Sequence, residues 1–542
     1  MSSCFYNTLA SKVFDLALSN SSRVAFVRVD NGVRKSATWA DVAGWGICLA
    51  GELDRIGLHQ GAHVGSILPN GPEWIAVDLA CQMLGLVHVA IDARLPPAAI
   101  VRLAMHSESA MCLTTPSLQS QLVCLFPAAI PCHTLQCHDN SARLTRQPYA
   151  FEFNAPAIAL DQLANWQARA HSARRECPAM LLYTSGTTDL ERGVVLSHNN
   201  LLTNALAKLD AAPQFASDLR LNILPFSHAY ARTCELSTWI LSGSSICIAN
   251  SWDNFLQLAP IIRPTLANLV PHLVGKLTNL MENSDETNSS PRERLQTIVG
   301  DCMRLLQVGG ASLPIDPWNQ LAQAGLPPLQ GYGLTETSPV VCSNRAGSQR
   351  PDSVGPAVMG VEVRLDQDGV LWTRGPHVML GYWRDDHSTR TRIHDGWLNT
   401  GDIAEQTQGG HFRIIGRQSD LIVLSTGYKV SPHSIESQLA SDPWIDRLVL
   451  IGEGQPHISA LVWLNRDAVP EHFMQRDSLV RALTQRIRLK LTDSPRYAIP
   501  EKLTIVEGRF PQQYLTAKGS IRRQKLLSAF EVARSDFKIG LS

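Results

Sequence analysis

The segment LLYTSGTTDLERGVVLSHNNL, Leu181 to Leu201, runs from a short apolar stretch into small hydroxyl residues around a glycine. The pattern predicts a strand over Ala179–Tyr183, a loop Thr184-Ser185-Gly186-Thr187-Thr188, a second strand GVVLS and a helix whose N-cap is Ser197. Glycine tolerates positive φ and close backbone approach. Backbone N–H groups and hydroxyls in such a loop can converge on phosphate oxygens. This is not the Walker pattern, which ends in Gly-Lys-Ser/Thr. Taken by itself, the loop could equally be a polar turn between two strands.

Outward from this segment the same style recurs. AHVGSILPNG reads as strand then turn, PEWIAVDLACQMLG as helix, LVHVAID as strand, MRLLQVGG as strand and LDQDGV as turn. Short apolar strands alternating with helical patterns predict an α/β protein with mostly parallel sheets. A chain of 542 residues exceeds one compact core and predicts several domains. Surface loops are expected at Met281–Arg294 and Ser343–Ser353. After GGHFRIIGRQSD a smaller strand–helix–strand–strand pattern begins, with a long helix from Ser478. The expected domains are therefore residues 1–416 and a small α/β domain over 417–542.

Composition narrows the function classes. Lys plus Arg equals Asp plus Glu, 48 against 48, so no electrostatic case exists for a nucleic-acid partner. Twelve cysteines in a long chain, with no signal-peptide pattern at the N-terminus, suggest a reducing cytoplasm and no disulfide framework. The run WIAVDLACQMLGLVHVAI is interrupted by Asp78, Gln82 and His88, and reads as a buried helix turning into a strand, not a membrane span. Nothing in the sequence argues for membrane-surface association. PCHTLQCH (Cys132, His133, Cys137, His138) lacks a second half at zinc spacing and is expected to be a loop.

Four more elements carry chemistry. In LQGYGLTETSPV, Gly331 and Gly333 flank Tyr332, whose ring can lie against a base, while Thr335 offers a hydroxyl and Glu336 a hard oxygen ligand for Mg²⁺. In DGWLNTGDIAE, Asp402 is expected in a tight turn, where a carboxylate can accept both hydroxyls of a ribose. Arg417 sits at the domain joint with a forked donor set. Lys518, in LTAKGSIRRQ, lies in a small-residue turn of the second domain.

YTSGTT, GYGLTET, TGD and GR..DLI in this order resemble the adenylate-forming (AMP-binding) superfamily across nearly the whole chain. LPNGPEWIAVDLACQMLGLVHVAID, LPFSHAYARTCE, GPHVMLGYW and GRQSDLIVLSTGYKVSPHSIE are most similar to long-chain fatty acyl-CoA synthetases. The resemblance implies a large multi-subdomain α/β region with a small, mobile C-terminal domain. It implies ATP-dependent activation of a fatty or lipophilic acid to an acyl-adenylate, then thioester formation with coenzyme A. The acceptor alternative is the phosphopantetheine of a separate acyl carrier protein. A further alternative is a nucleotide-binding homologue with reduced or lost catalysis.

Residue by residue, the resemblance implies that Thr184, Ser185, Gly186, Thr187 and Thr188 grip the β- and γ-phosphates. Gly310, Ala311, Tyr332 and Gly333 would border the adenine, and Thr335 would contact the α-phosphate. Glu336 would bind Mg²⁺, Asp402 and Arg417 the ribose, and His228 would line the acyl pocket. Lys518 would serve the first half-reaction, and rotation about Ser419 would withdraw it. Two departures stand out. Asp189-Leu190-Glu191-Arg192-Gly193 replaces the usual Gly-x-Pro-Lys-Gly, so Arg192 is expected to do the lysine's task. Two like charges ~4 Å apart repel by about 1 kcal/mol in water and about 4 kcal/mol at an effective dielectric near 20, so Asp189 should weaken ATP binding unless offset. At the C-terminus Ser520 takes the usual lysine column and Lys518 comes two places early.

Overall fold

The structure, a computed structural model, describes residues 6–30, 32–122, 124–127, 129–137, 150–153, 160–184, 191–283, 289–440, 442–473, 476–492, 494–515 and 521–532. Two eight-stranded sheets organise the first 383 residues. In the first, strands run in the order 381–382, 193–197, 178–183, 87–90, 63–67, 111–114, 132–137 and 150–153. Its inner strands are parallel, and Gly193–Ser197 pairs antiparallel with Pro178–Tyr183. In the second, the order is 340–343, 329–333, 305–308, 266–269, 219–222, 245–248, 24–30 and 33–38.

The helices expected from periodicity form, for local reasons. Pro72–Leu84 starts on a proline and ends at Gly85, whose φ of +64° is the left-handed stop that glycine favours. His198–Ala211 begins with a capping box in which Ser197 Oγ accepts from Asn200 N and the Asn200 side chain accepts from Ser197 N. The main core lies between these helices and the first sheet, with Trp39 stacked on Trp239 at 4.7 Å. A second core fills the space around the second sheet.

Two buried ion pairs tie the sheets together. Arg232 donates to both oxygens of Asp78 at 3.0 and 2.9 Å, and His88 bridges Asp78 to Ser66. Arg220 donates to Glu235 at 2.9 Å, both side chains being fully buried. The Arg and Glu of LPFSHAYARTCE therefore hold the scaffold, while His228, Ala229, Tyr230 and Cys234 of that stretch line the cavity described below.

A five-stranded sheet follows, built on Trp397–Gln406, which pairs with Phe412–Arg417. Residues 422–530 have cores of their own, around strands Ile445–Ile451, Ser459–Leu464 and Lys502–Val506 and helices Pro432–Leu439 and Arg476–Lys490.

Three local expectations are corrected. Cys132–Cys137 is a parallel strand between 111–114 and 150–153, not a loop, because alternating side chains at Cys132 and Thr134 face the core. The expected loop Met281–Arg294 is shorter: a helix runs through Glu282, and another starts at Pro291 with Ser290 as N-cap. Asp402 lies within a strand and not in a turn, as described next. No helix among the described residues is long and apolar enough to cross a membrane.

Candidate active site

The C-terminal ends of the parallel strands of the second sheet open onto one cavity of about 280 Å³. Strand Leu305–Val308 delivers Gly309 and Gly310, and Leu329–Gly333 delivers Tyr332. The chain then turns through Thr335 and Glu336 and returns antiparallel as Val340–Ser343. Gly333 is required here: a Cβ would fall 1.6 Å from the Pro339 carbonyl oxygen. The two arms of this hairpin therefore touch backbone to backbone.

Tyr332 Oη donates to Asp402 Oδ2 at 2.7 Å, and Arg417 Nε lies 3.1 Å from Asp402 Oδ1. Asp402 and Arg417 are direct partners in an antiparallel ladder. Gly401, at φ +72°, and a register irregularity after Ile403 turn this part of the strand without ending it. Burial raises the pKa of Asp402, while the Arg417 charge opposes that rise. A carboxylate flanked by a phenol and a guanidinium is a fitting acceptor for paired hydroxyls.

Glu336 is buried and accepts from Tyr382 Oη at 2.8 Å. Arg192 stands over the Tyr382 ring, 5.4 Å from its centroid, with Nε 3.7 Å from Asp385. Glu191 faces Arg102 at 3.9 Å. Among the described residues no group of three acidic, His or Cys side chains could hold a metal alone. The lone Glu336 carboxylate fits Mg²⁺ only with oxygens from the nucleotide and water completing its shell.

His228 lies at the other side of the cavity, 3.4 Å from Asp92, which Arg94 grips through Nε and Nη2 at 2.9 and 2.6 Å. The inner wall is made by Lys208, Tyr230, Cys234, Gln307 and Val340. Lys208, in the last turn of the helix after the phosphate-type loop, is 2% exposed and donates to Ser343 Oγ at 2.7 Å. Gln307 is 1% exposed, and neither polar atom of its side chain has a partner; Tyr230 Oη has none either.

Of the residues singled out from sequence, Thr184, Arg192, His228, Gly310, Tyr332, Gly333, Thr335, Glu336 and Arg417 line this one cavity. Asp402 reaches it through Tyr332 and Arg417. Ala311 is exposed and outside the lining. Ser185, Gly186, Thr187, Thr188, Asp189 and Lys518 lie outside the described residues. Sequence reading missed Lys208, Gln307, Tyr382, Arg392 and the Asp92–Arg94 pair. Tyr382 stood in the quoted GPHVMLGYW, but its reach to Glu336, 46 residues away in sequence, depends on a strand pairing with Val194 and Val195. Lys208 had one available signal, a cation on the apolar side of an otherwise amphipathic helix.

Comparison with known proteins agrees with this architecture. Residues 15–383 match the AMP-binding enzyme family, and residues 419–533 match the AMP-binding enzyme C-terminal domain. The chain is 26% identical over 514 residues to the long-chain-fatty-acid–CoA ligase FadD15 of Mycobacterium bovis, covering 87% of this chain and 84% of that one. It is 26% identical over 440 residues to a feruloyl-CoA synthase of an Amycolatopsis species, covering 77% and 81%. Among solved structures, the anthranilate CoA ligase AuaEII in complex with anthranoyl-AMP superposes with a TM-score of 0.79 over 98% of both chains at 21% identity. The chain belongs to the family of AMP-binding enzymes, whose fold and acid–thiol ligase class it shares.

Proposed function

We propose that this enzyme activates a carboxylic acid with ATP and passes the acyl group to coenzyme A. A carboxylate oxygen of the acid bonds to the α-phosphorus, the bond from that phosphorus to the bridging oxygen of the β-phosphate breaks, and pyrophosphate leaves. The thiol sulfur then attacks the acyl carbon, the carbon–oxygen bond to AMP breaks, and the thiol proton is lost to solvent. The observation that carries this reading is the Tyr332–Asp402–Arg417 cluster sharing one cavity with Thr335, Glu336 and His228.

In this reading Asp402 and Arg417 orient the ribose, and Tyr332 holds Asp402 while presenting its ring to the adenine. Thr184 and the loop after it, with Arg192, take the β- and γ-phosphates. Thr335 contacts the α-phosphate. Glu336, oriented by Tyr382, holds the Mg²⁺ that lowers the repulsion between two approaching anions. Gly310 borders the base, and His228, backed by Asp92, stands beside the reacting carboxylate. Residues 417–542 act as a separate domain that rotates between the half-reactions and carries Lys518 to the first of them.

Long-chain ligases among the relatives support a fatty or lipophilic acid; a feruloyl-CoA synthase among them supports an aryl acid. Coenzyme A is favoured as acceptor by both. Ten described cysteines are free, which suits a cytoplasmic setting. Acid-dependent exchange of labelled pyrophosphate into ATP tests the proposal, followed by thioester formation on adding coenzyme A. Exchange with at least one acid is expected. Nucleotide binding without exchange for any acid would instead favour a homologue that has lost catalysis.

A further inference from the structure

The inner wall of the cavity carries more polar function than an alkyl chain needs. Lys208 Nζ has three protons and donates one to Ser343 Oγ, whose own hydroxyl donates to the Asn344 carbonyl oxygen. No carboxylate pairs with Lys208 among the described residues, since Glu235 on the neighbouring segment is held by Arg220. Gln307 also lines the cavity, with its amide nitrogen and oxygen both unpartnered, and Tyr230 Oη is equally unpartnered. Buried polar groups without partners are rare and call for a ligand or water. These three side chains come from three separate elements and line one cavity. The other cations of the cavity, Arg192, Arg392 and Arg417, lie with Tyr382, Asn399 and Asp402 at the nucleotide end.

We propose that the inner wall recognises a second carboxylate on the acid substrate, so that the preferred substrate is a dicarboxylic acid activated at one end. One carboxylate faces His228 and the α-phosphate. The other accepts from Lys208 Nζ, the Gln307 amide and Tyr230 Oη. An alkyl chain placed there would leave all three unsatisfied and the ammonium buried, which discriminates against it. This rests on the acid-activating reading above and adds the class of acid.

The test compares dicarboxylic acids of graded length with monocarboxylic acids in which the distal carboxylate is replaced by methyl, using pyrophosphate exchange by the wild-type protein. At the best length the dicarboxylic acid should win by roughly 100-fold in kcat/KM. Lys208→Met should collapse that preference to a few-fold at most, and Gln307→Leu should reduce it independently. Equal or better use of the methyl analogues by wild type overturns the proposal, as does an undiminished preference in both variants. Calorimetric binding of the same acids to the nucleotide-loaded wild type separates the two readings. If no acid drives exchange but the dicarboxylic acid still binds at least ~10-fold tighter than its methyl analogue, the wall assignment stands and catalysis is what fails. If it does not, the wall assignment fails by itself.

Discussion

Tyr382 Oη donates to Glu336 Oε1 across 2.8 Å, while Arg192 rests over the face of the same ring. One aromatic side chain therefore sets both the proposed metal-binding carboxylate and the cation that replaces the usual lysine. Hydrogen bonds to charged groups contribute about 1.5–3 kcal/mol. Tyr382→Phe should lower kcat/KM for ATP by about tenfold or more and raise the magnesium concentration needed for half-maximal rate. Steady-state exchange at graded magnesium reads this directly; an unchanged magnesium response would remove Tyr382 from the site.

Arg192 should tolerate lysine better than a neutral side chain. Arg192→Lys keeps the charge but loses the planar stacking on Tyr382, and should raise KM for ATP only a few-fold. Arg192→Met should raise it by about tenfold. If both variants match wild type, the positive charge at this position plays no part in holding the triphosphate.

Asp402 predicts a pH signature. Burial raises its pKa, so in the free protein its carboxyl stabilises the fold at low pH and loses that contribution as pH rises through the folded-state value. A nucleotide bound through the ionised form works the other way. The increase in Tm produced by AMP should therefore shrink on acidification, starting above the ordinary carboxylate range. Asp402→Asn should weaken AMP binding by about tenfold and flatten that pH dependence. Thermal shifts with and without AMP across pH 4–8 (roughly the accessible window) check both outcomes.

The Arg220–Glu235 pair is fully buried. Burial pushes the Glu235 carboxyl up to about 7, against the opposing Arg220 charge. Arg220→Met leaves an uncompensated acid and should cost about 3–5 kcal/mol. The double change Arg220→Met with Glu235→Leu should recover most of that loss. Urea unfolding of the single and double variants measures the difference.

His198 and His377 are held near pKa 4 by burial, against an ordinary value of 6.5. Their folded pKa values are depressed, so their stabilising contribution is complete above about pH 6.5 and is lost as pH falls toward 4. Each accounts for up to about 3 kcal/mol over that range. Urea unfolding at pH 7 and pH 5 should show a steep loss, and His377→Asn should shed its share of the slope while keeping the bond to Thr373.

Much of this was legible in the chain because its signals are local. Ser197 as an N-cap, helix Pro72–Leu84 and strand Pro178–Tyr183 follow from capping and periodicity. The family followed from motif order. What could not be read were contacts made by register. Asp402 looked like a turn residue because Thr-Gly-Asp has turn composition, yet the strand continues through Gly401 and sets Asp402 opposite Arg417. The Tyr382–Glu336 bond needs a two-residue strand to pair with Gly193–Ser197. Lys208 reads as an ordinary helix cation until the packing of that helix on Val340–Ser343 buries it.

The contact between Gly333 and Pro339 has a consequence for how such an enzyme can change its diet. The hairpin bearing Thr335 and Glu336 also supplies Pro339 and Val340 to the cavity wall proposed for the acid, and its two arms leave no room between them. On the proposed assignments, alterations there should disturb ATP chemistry and acid choice together. The helix His198–Ala211 places Lys208 in the pocket while contributing none of the side chains assigned to the nucleotide. Selection for a new substrate thus has a separable dial on that helix, and a locked one on the hairpin.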